Sequence, residues 1–203
     1  MISNLEPRFN LAPMQRRVVV RLDKEGRREP VMMRWGLVPS WSKDDEAGAA
    51  MINAKVETVA EKPASRAAFN ARPCLVVVDG FYEWAKVGPK KKQPYFITPK
   101  GRAPFAFAGL REWWRAKGVP KEEPGLETFT ILTTEPNALG APIHNRMPVI
   151  LAQDDWNGWL GTPDDRRVQL RSFPDDRMEC WPVGKAVGSV KNTGAELVER
   201  IMV

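Results

Sequence analysis

Two cysteines, one histidine and no long apolar run are what this 203-residue chain has least of, and each scarcity closes off a class of function. Cys74 and Cys180 lie far apart, each in an apolar, strand-like run. That reads as two buried, reduced thiols rather than a disulfide framework. A single histidine, His144, with two scattered cysteines leaves no ligand set for a structural zinc ion, so no metal is expected. Neither GxxxxGK[ST] nor GxGxxG occurs, which removes the usual phosphate-cradling loops and leaves no cofactor to expect. No apolar stretch approaches the roughly 18 residues of a membrane span. Met1-Ile2-Ser3-Asn4-Leu5-Glu6 lacks the basic and apolar regions of a signal peptide, so a cytoplasmic protein without a membrane partner is expected. Repeats, low-complexity tracts and linkers are missing too, and the chain reads as one β-rich α+β domain over residues 1–203.

What is present points toward an anionic partner. Lysine and arginine outnumber aspartate and glutamate by 31 to 25, a net charge of +6. The isoelectric point is near 9.5. Nucleic acid is favoured over membrane as the partner of such a balance. Eighteen prolines imply short elements and many ordered loops. Eight tryptophans offer stacking faces, for a core or for bases.

The chain is organised around residues 73–84. Leu75–Val78 reads as a buried strand, Asp79-Gly80 as a break, and Phe81–Trp84 as a second strand. Period-two alternation puts Phe81 and Glu83 on one face and Tyr82 and Trp84 on the other. A carboxylate among aromatics invites a raised pKa and acid–base work. The competing reading is an edge-strand glutamate paired with a lysine.

Further strands are expected at 17–22, 30–35, 51–57, 93–98, 105–110, 127–133 and 177–183. Helices are expected at 61–71, 154–160, 164–171 and 195–199. In the third strand Asn53, Lys55 and Glu57 would share the outward face. Pro39 leaves Trp41 on a loop, free to meet solvent or a ligand. His144 sits between Pro142 and Pro148, beside Arg146, ahead of the apolar 149–151. That setting suits either a structural role or proton transfer near neutral pH.

Eight segments, in order, carry a resemblance. They are RFNLAP at 8–13, RWGLVPSW at 34–41, INAKVET at 52–58, DGFYEW at 79–84, KKQPYFI at 91–97, ILTTEPN at 131–137, IHNRMPVIL at 143–151 and PVGKAVGSVKN at 182–192. Together they resemble the SOS response-associated peptidase (SRAP) family. The resemblance implies a mixed α/β fold with a strongly bent, barrel-like sheet, short peripheral helices and a basic cleft for single-stranded DNA. It implies a monomer, nucleoid-associated, that senses abasic sites in single-stranded or junction DNA.

It also implies a chemistry. The family's cysteine follows the initiator methionine, and autoproteolysis exposes it. Its α-amine condenses with the aldehyde of the ring-opened abasic sugar, and its thiol closes a thiazolidine. The activity implied is that of a peptidase with DNA-crosslinking, lyase-like chemistry. Glu83 matches the acid–base carboxylate, His144 the histidine that moves protons during ring opening and imine formation, and Asn53 the asparagine that holds the open sugar. Thr133, Arg146, Trp41 and Pro13 match positions lining the DNA cleft. Arg8, Lys55 and Lys191 are expected on phosphates.

Two departures stand out. This chain opens Met1-Ile2-Ser3 where the family has Met-Cys-Gly-Arg well ahead of the RFNLAP-like segment. Either the start lies upstream, or this member binds damaged single-stranded DNA without crosslinking. Retention of Glu83, Asn53 and His144 favours the first. The second departure is Lys55 in place of an arginine, which keeps the charge and loses the bidentate fork.

Overall fold

The computed structural model describes residues 6–202. The expectation drawn from Met1-Ile2-Ser3 therefore lies outside the described residues. Eleven strands are described: β1 (Arg16–Leu22), β2 (Arg28–Trp35), β3 (Asn53–Lys55), β4 (Pro73–Val78), β5 (Phe81–Lys86), β6 (Lys92–Pro99), β7 (Phe105–Trp114), β8 (Leu126–Thr134), β9 (Met147–Pro148), β10 (Ile150–Leu151) and β11 (Met178–Pro182). The helices are short: α1 (Arg66–Ala71), α2 (Trp156–Leu160) and α3 (Pro163–Val168), and five 3-10 turns are described besides. None of the helices described is long and apolar enough to cross a membrane.

The strands divide between two sheets. The larger has the order β10-β7-β4-β1-β2-β8-β3, with β9 on β8 and a further β7–β8 pairing; the smaller is β11-β6-β5. This corrects the expectation of one barrel-like sheet. An α+β fold with a mixed sheet and short helices is present, but the sheet is not closed into a barrel. The joints are too thin for a continuous wall. β1 meets β4 at one register pair, Val20↔Leu75, and β2 meets β8 at two. By contrast β1 and β2 run antiparallel over seven pairs.

Alternation explains the layers. Val19, Met33, Val76, Phe107, Phe129 and Ile131 leave one face of the larger sheet and pack with Ile97 and Met178 of the smaller. Leu75, Ala106, Ala108, Leu110 and Leu132 leave the other face and meet Phe69, Trp159 and Leu160 of the helices. A one-residue slip in β4 or β7 would exchange these two cores, which fixes the register. The outer face of the small sheet is covered by Val187 and Leu197 from the C-terminal 3-10 turns, against Phe96 and Trp181.

Asp79-Gly80 carries the chain from the large sheet to the small one. A Cβ at Gly80 would lie 2.1 Å from the Phe96 ring, so only glycine lets β5 cross there. Several expected elements shorten. The helix expected at 61–71 is regular only at Arg66–Ala71, and the strand at 51–57 only at Asn53–Lys55. Beyond Lys55 the chain turns, and Val56 still reaches back to the Thr133 carbonyl at 3.0 Å.

Candidate active site and nucleic-acid groove

Strand β5 presents Glu83 toward the loop that ends in β9. There His144 Nδ1 lies 3.8 Å from Glu83 Oε1. Burial pushes the Glu83 carboxyl above its ordinary value; the His144 ring, the Trp84 amide and Lys92 oppose this only in part. The edge-strand pairing with a lysine is thus reduced to a field effect from Lys92, and the close partner is an imidazole.

The loop makes several hydrogen bonds within itself. The His144 amide donates to Gly140 O at 3.0 Å. The Arg146 amide faces His144 Nδ1 at 3.2 Å, and the Arg146 carbonyl stands 3.0 Å from the same nitrogen. With Nδ1 bare the ring accepts from the amide; with Nδ1 protonated it donates to the carbonyl. One nitrogen is therefore served in both protonation states, with a carboxyl of raised pKa beside it. A cavity of about 10 Å³ lies under the pair, lined by Phe81, Glu83, Ile97, Asn137, Ile143, His144 and Met178. That is room for one water-sized group.

Phe81 also borders a far larger opening, a groove of about 550 Å³. Its walls include Trp35, Val76, Val78, Phe107, Phe129 and Ile131, and its rim Arg8, Pro13, Arg17, Asp79 and Arg102. Arg17 of β1 and Val76 and Val78 of β4 all line the groove, and these two strands share only the register pair Val20↔Leu75. The edges of Arg16–Val19 and Val76–Val78 toward each other have no strand pairing described, and the Arg17 side chain donates to the Val77 carbonyl.

Distant segments are sewn together at the rim. Tyr82 Oη donates to Phe9 O at 2.7 Å, the Phe9 amide donates to Thr193 O, and Asn10 Nδ2 donates to Val187 O and Ser189 O. This ties the RFNLAP segment to the PVGKAVGSVKN segment and holds exposed Lys191 near Arg8's stretch of chain.

The remaining expected residues fall as follows. Asn53 is exposed on β3 opposite Ile131, a groove residue, with no side-chain hydrogen bond among the described residues. Lys55 is exposed in register with buried Thr133, whose carbonyl accepts from Arg146 Nη2. Trp41 is 67% exposed. Its loop is fixed by Gly36, where a Cβ would stand 2.6 Å from Gly48 O, and by the 2.6 Å Arg34–Asp45 ion pair. Neither cysteine serves this site. Cys74 is fully buried, its thiol pushed up to about 12 by burial, and burial raises Cys180 as well.

The comparisons with known proteins agree with this architecture. The profile of the SOS response associated peptidase (SRAP) family matches residues 2–190. The chain belongs to the SRAP family. The abasic site processing protein YoaM of Bacillus subtilis (strain 168) is 42% identical over 199 residues, covering 96% of this chain and 85% of that protein. YedK of Escherichia coli (strain K12), also named an abasic site processing protein, is 29% identical over 200 residues, 96% of this chain and 85% of its own. A crystal structure of a protein from Bacteroides thetaiotaomicron superposes with a TM-score of 0.81 at 26% identity, covering 93% of this chain and 82% of that one.

Two residues of this SRAP member were invisible to sequence reasoning as site residues. Glu57 grips Arg146, Oε1 to Nη1 at 2.6 Å and Oε2 to Nη2 at 3.0 Å. The shared face of Asn53, Lys55 and Glu57 was the available signal. Arg17 reaches the groove with only the Val77 carbonyl, 3.3 Å away, as hydrogen-bond partner among the described residues. Nothing in the RRVVVRL pattern separates it from an ordinary surface arginine.

Proposed function

We propose that this chain senses abasic sites in single-stranded DNA, with Glu83 and His144 as the proton-transfer pair. The observation that carries the reading is that pair: a carboxyl raised by burial, 3.8 Å from the chain's only imidazole, beside a groove rimmed by arginines. A general acid–base pair needs hydrogen-bond reach, and an unliganded site tightens when substrate arrives. Protonating the sugar ring oxygen opens the abasic sugar to its aldehyde. Asn53 orients the open sugar; Arg8, Lys55, Arg146 and Lys191 hold phosphates. Pro13 and Thr133 line the path, and Trp41 stacks a base.

The covalent step belongs to the same proposal. A terminal α-amine attacks the aldehyde carbon, and the imine forms with loss of one water. The neighbouring thiol then adds to the imine carbon, its proton passing to nitrogen, which closes the thiazolidine. The unpaired edges of β1 and β4 suit an extended segment bearing that terminal cysteine, and its exposure by autoproteolysis would use the same Glu83–His144 pair. A second reading, binding without a covalent bond, is favoured by one observation: both described thiols are buried or held protonated.

Fluorescence anisotropy on labelled oligonucleotides tests the shared part. Single-stranded DNA with one abasic site should bind more tightly than the same strand intact and than duplex. Lys55→Gln and Arg8→Gln should weaken all strands alike and flatten the salt dependence by about one counterion each. Equal affinity for abasic and intact strands would overturn abasic-site sensing.

A further inference from the structure

Arg146 has no free pair of N–H groups. Nη1 donates to Glu57 Oε1, Nη2 to Glu57 Oε2 and to the Thr133 carbonyl, while Nε is buried without a partner among the described residues. A guanidinium recognises phosphate through the same parallel fork that it offers a carboxylate. Glu57 therefore occupies the place in which a phosphate would be held. The two ends of this contact differ in exposure. The Arg146 side chain is 20% exposed and anchored by Thr133; that of Glu57 is 47% exposed and stands in the turn after β3. If the contact opens, the acid is the partner that can swing into water.

We propose that Glu57 is an internal stand-in for phosphate: it keeps Arg146 in its DNA-binding posture and is displaced when a backbone phosphate takes the fork. This deepens the DNA-sensing reading and rests on it. The exchange sets affinity, because every strand that engages Arg146 must first break the Glu57 contact. It also links binding to the site chemistry. The Arg146 backbone flanks His144 Nδ1, so a guanidinium kept in place before DNA arrives keeps the imidazole in place as well.

A double-mutant cycle tests the exchange. Anisotropy is measured with a single-stranded oligonucleotide on the whole chain, on Glu57→Gln, on Arg146→Gln and on the double variant. The expected result is about two- to fivefold tighter binding for Glu57→Gln, the range of a partly exposed ion pair. That gain should vanish when Arg146 is glutamine. Glu57→Asp, which keeps the charge on a shorter arm, should show part of the gain, and thermal melts confirm that each variant folds. An exposed control, Glu61→Gln, should change affinity equally in both Arg146 backgrounds. A Glu57→Gln gain that persists without Arg146 would reduce Glu57 to a general field effect and overturn the exchange, as would no gain at all. Failure of every variant to bind any oligonucleotide would overturn the DNA reading itself.

Discussion

Of the three arginines of strand β1, Arg17 and Arg21 stand four residues apart on one face, and they are treated in opposite ways. At one end Arg21 is clamped between Glu29 at 2.9 Å and Glu127 at 2.8 Å. Burial works to lower its pKa, but the two carboxylates outweigh that and the pKa is raised. At the other end Arg17 lines the groove. Burial lowers its pKa, Asp79 compensates in part, and nearby Arg8 adds to the lowering. Arg21 is met by two carboxylates within hydrogen-bond reach, whereas Arg17 has one backbone carbonyl and no carboxylate that close among the described residues. The same contrast separates Arg72, paired with Glu112 at 2.6 Å, from the site carboxyl Glu83, held in part by an imidazole.

The comparison can be broken in order of expected effect. Glu83→Gln or His144→Ala in a chain bearing the family's Met-Cys-Gly-Arg opening should slow adduct formation with abasic DNA by about 10²- to 10⁴-fold, read by denaturing gel. Next, Arg21→Met strips both Glu29 and Glu127 of their partner. It should cost about 2–3 kcal/mol in denaturant unfolding, somewhat below a fully buried pair because all three side chains keep some exposure.

Glu83→Gln should have the opposite sign on stability. The folded carboxyl is raised above its ordinary value of 4.5, so ionised Glu83 weakens the fold at neutral pH. The variant should be more stable by on the order of 1 kcal/mol at pH 7–8. The gain should shrink as pH falls through the raised pKa and disappear below about 4.5, measured by melts across pH. The smallest expected effect is that of Arg17→Met, within about 0.5 kcal/mol in unfolding but measurably weaker for single-stranded DNA. A loss of stability at Arg17 as large as that at Arg21 would erase the contrast.

Much of this was legible in the sequence. Runs such as Arg17–Leu22 and Phe105–Leu110 announced strands because β-branched and aromatic residues alternate or cluster between turn signals. The face shared by Phe81 and Glu83 was legible from period two, and the approach of Glu83 to His144 followed once the family resemblance was granted. Sheet partition was not legible. Whether Asp79-Gly80 folds a strand back or passes it to another sheet depends on the Phe96 ring beneath Gly80, a contact sixteen residues away in sequence. The groove was hidden for a similar reason: its lining is drawn from segments as far apart in sequence as Arg8, Phe81 and Val198. Glu57 looked like a surface acid because its partner, Arg146, is 89 residues further along.

The most direct measurement of the central claim is the rate at which abasic single-stranded DNA becomes covalently attached to the chain carrying Met-Cys-Gly-Arg ahead of residue 6. A gel-stable adduct that forms with the parent chain, nearly disappears with Glu83→Gln and with His144→Ala, and persists with Arg21→Met is what the buried acid and the lone imidazole predict. Adduct at the parental rate in both site variants, or none in the parent, would contradict it.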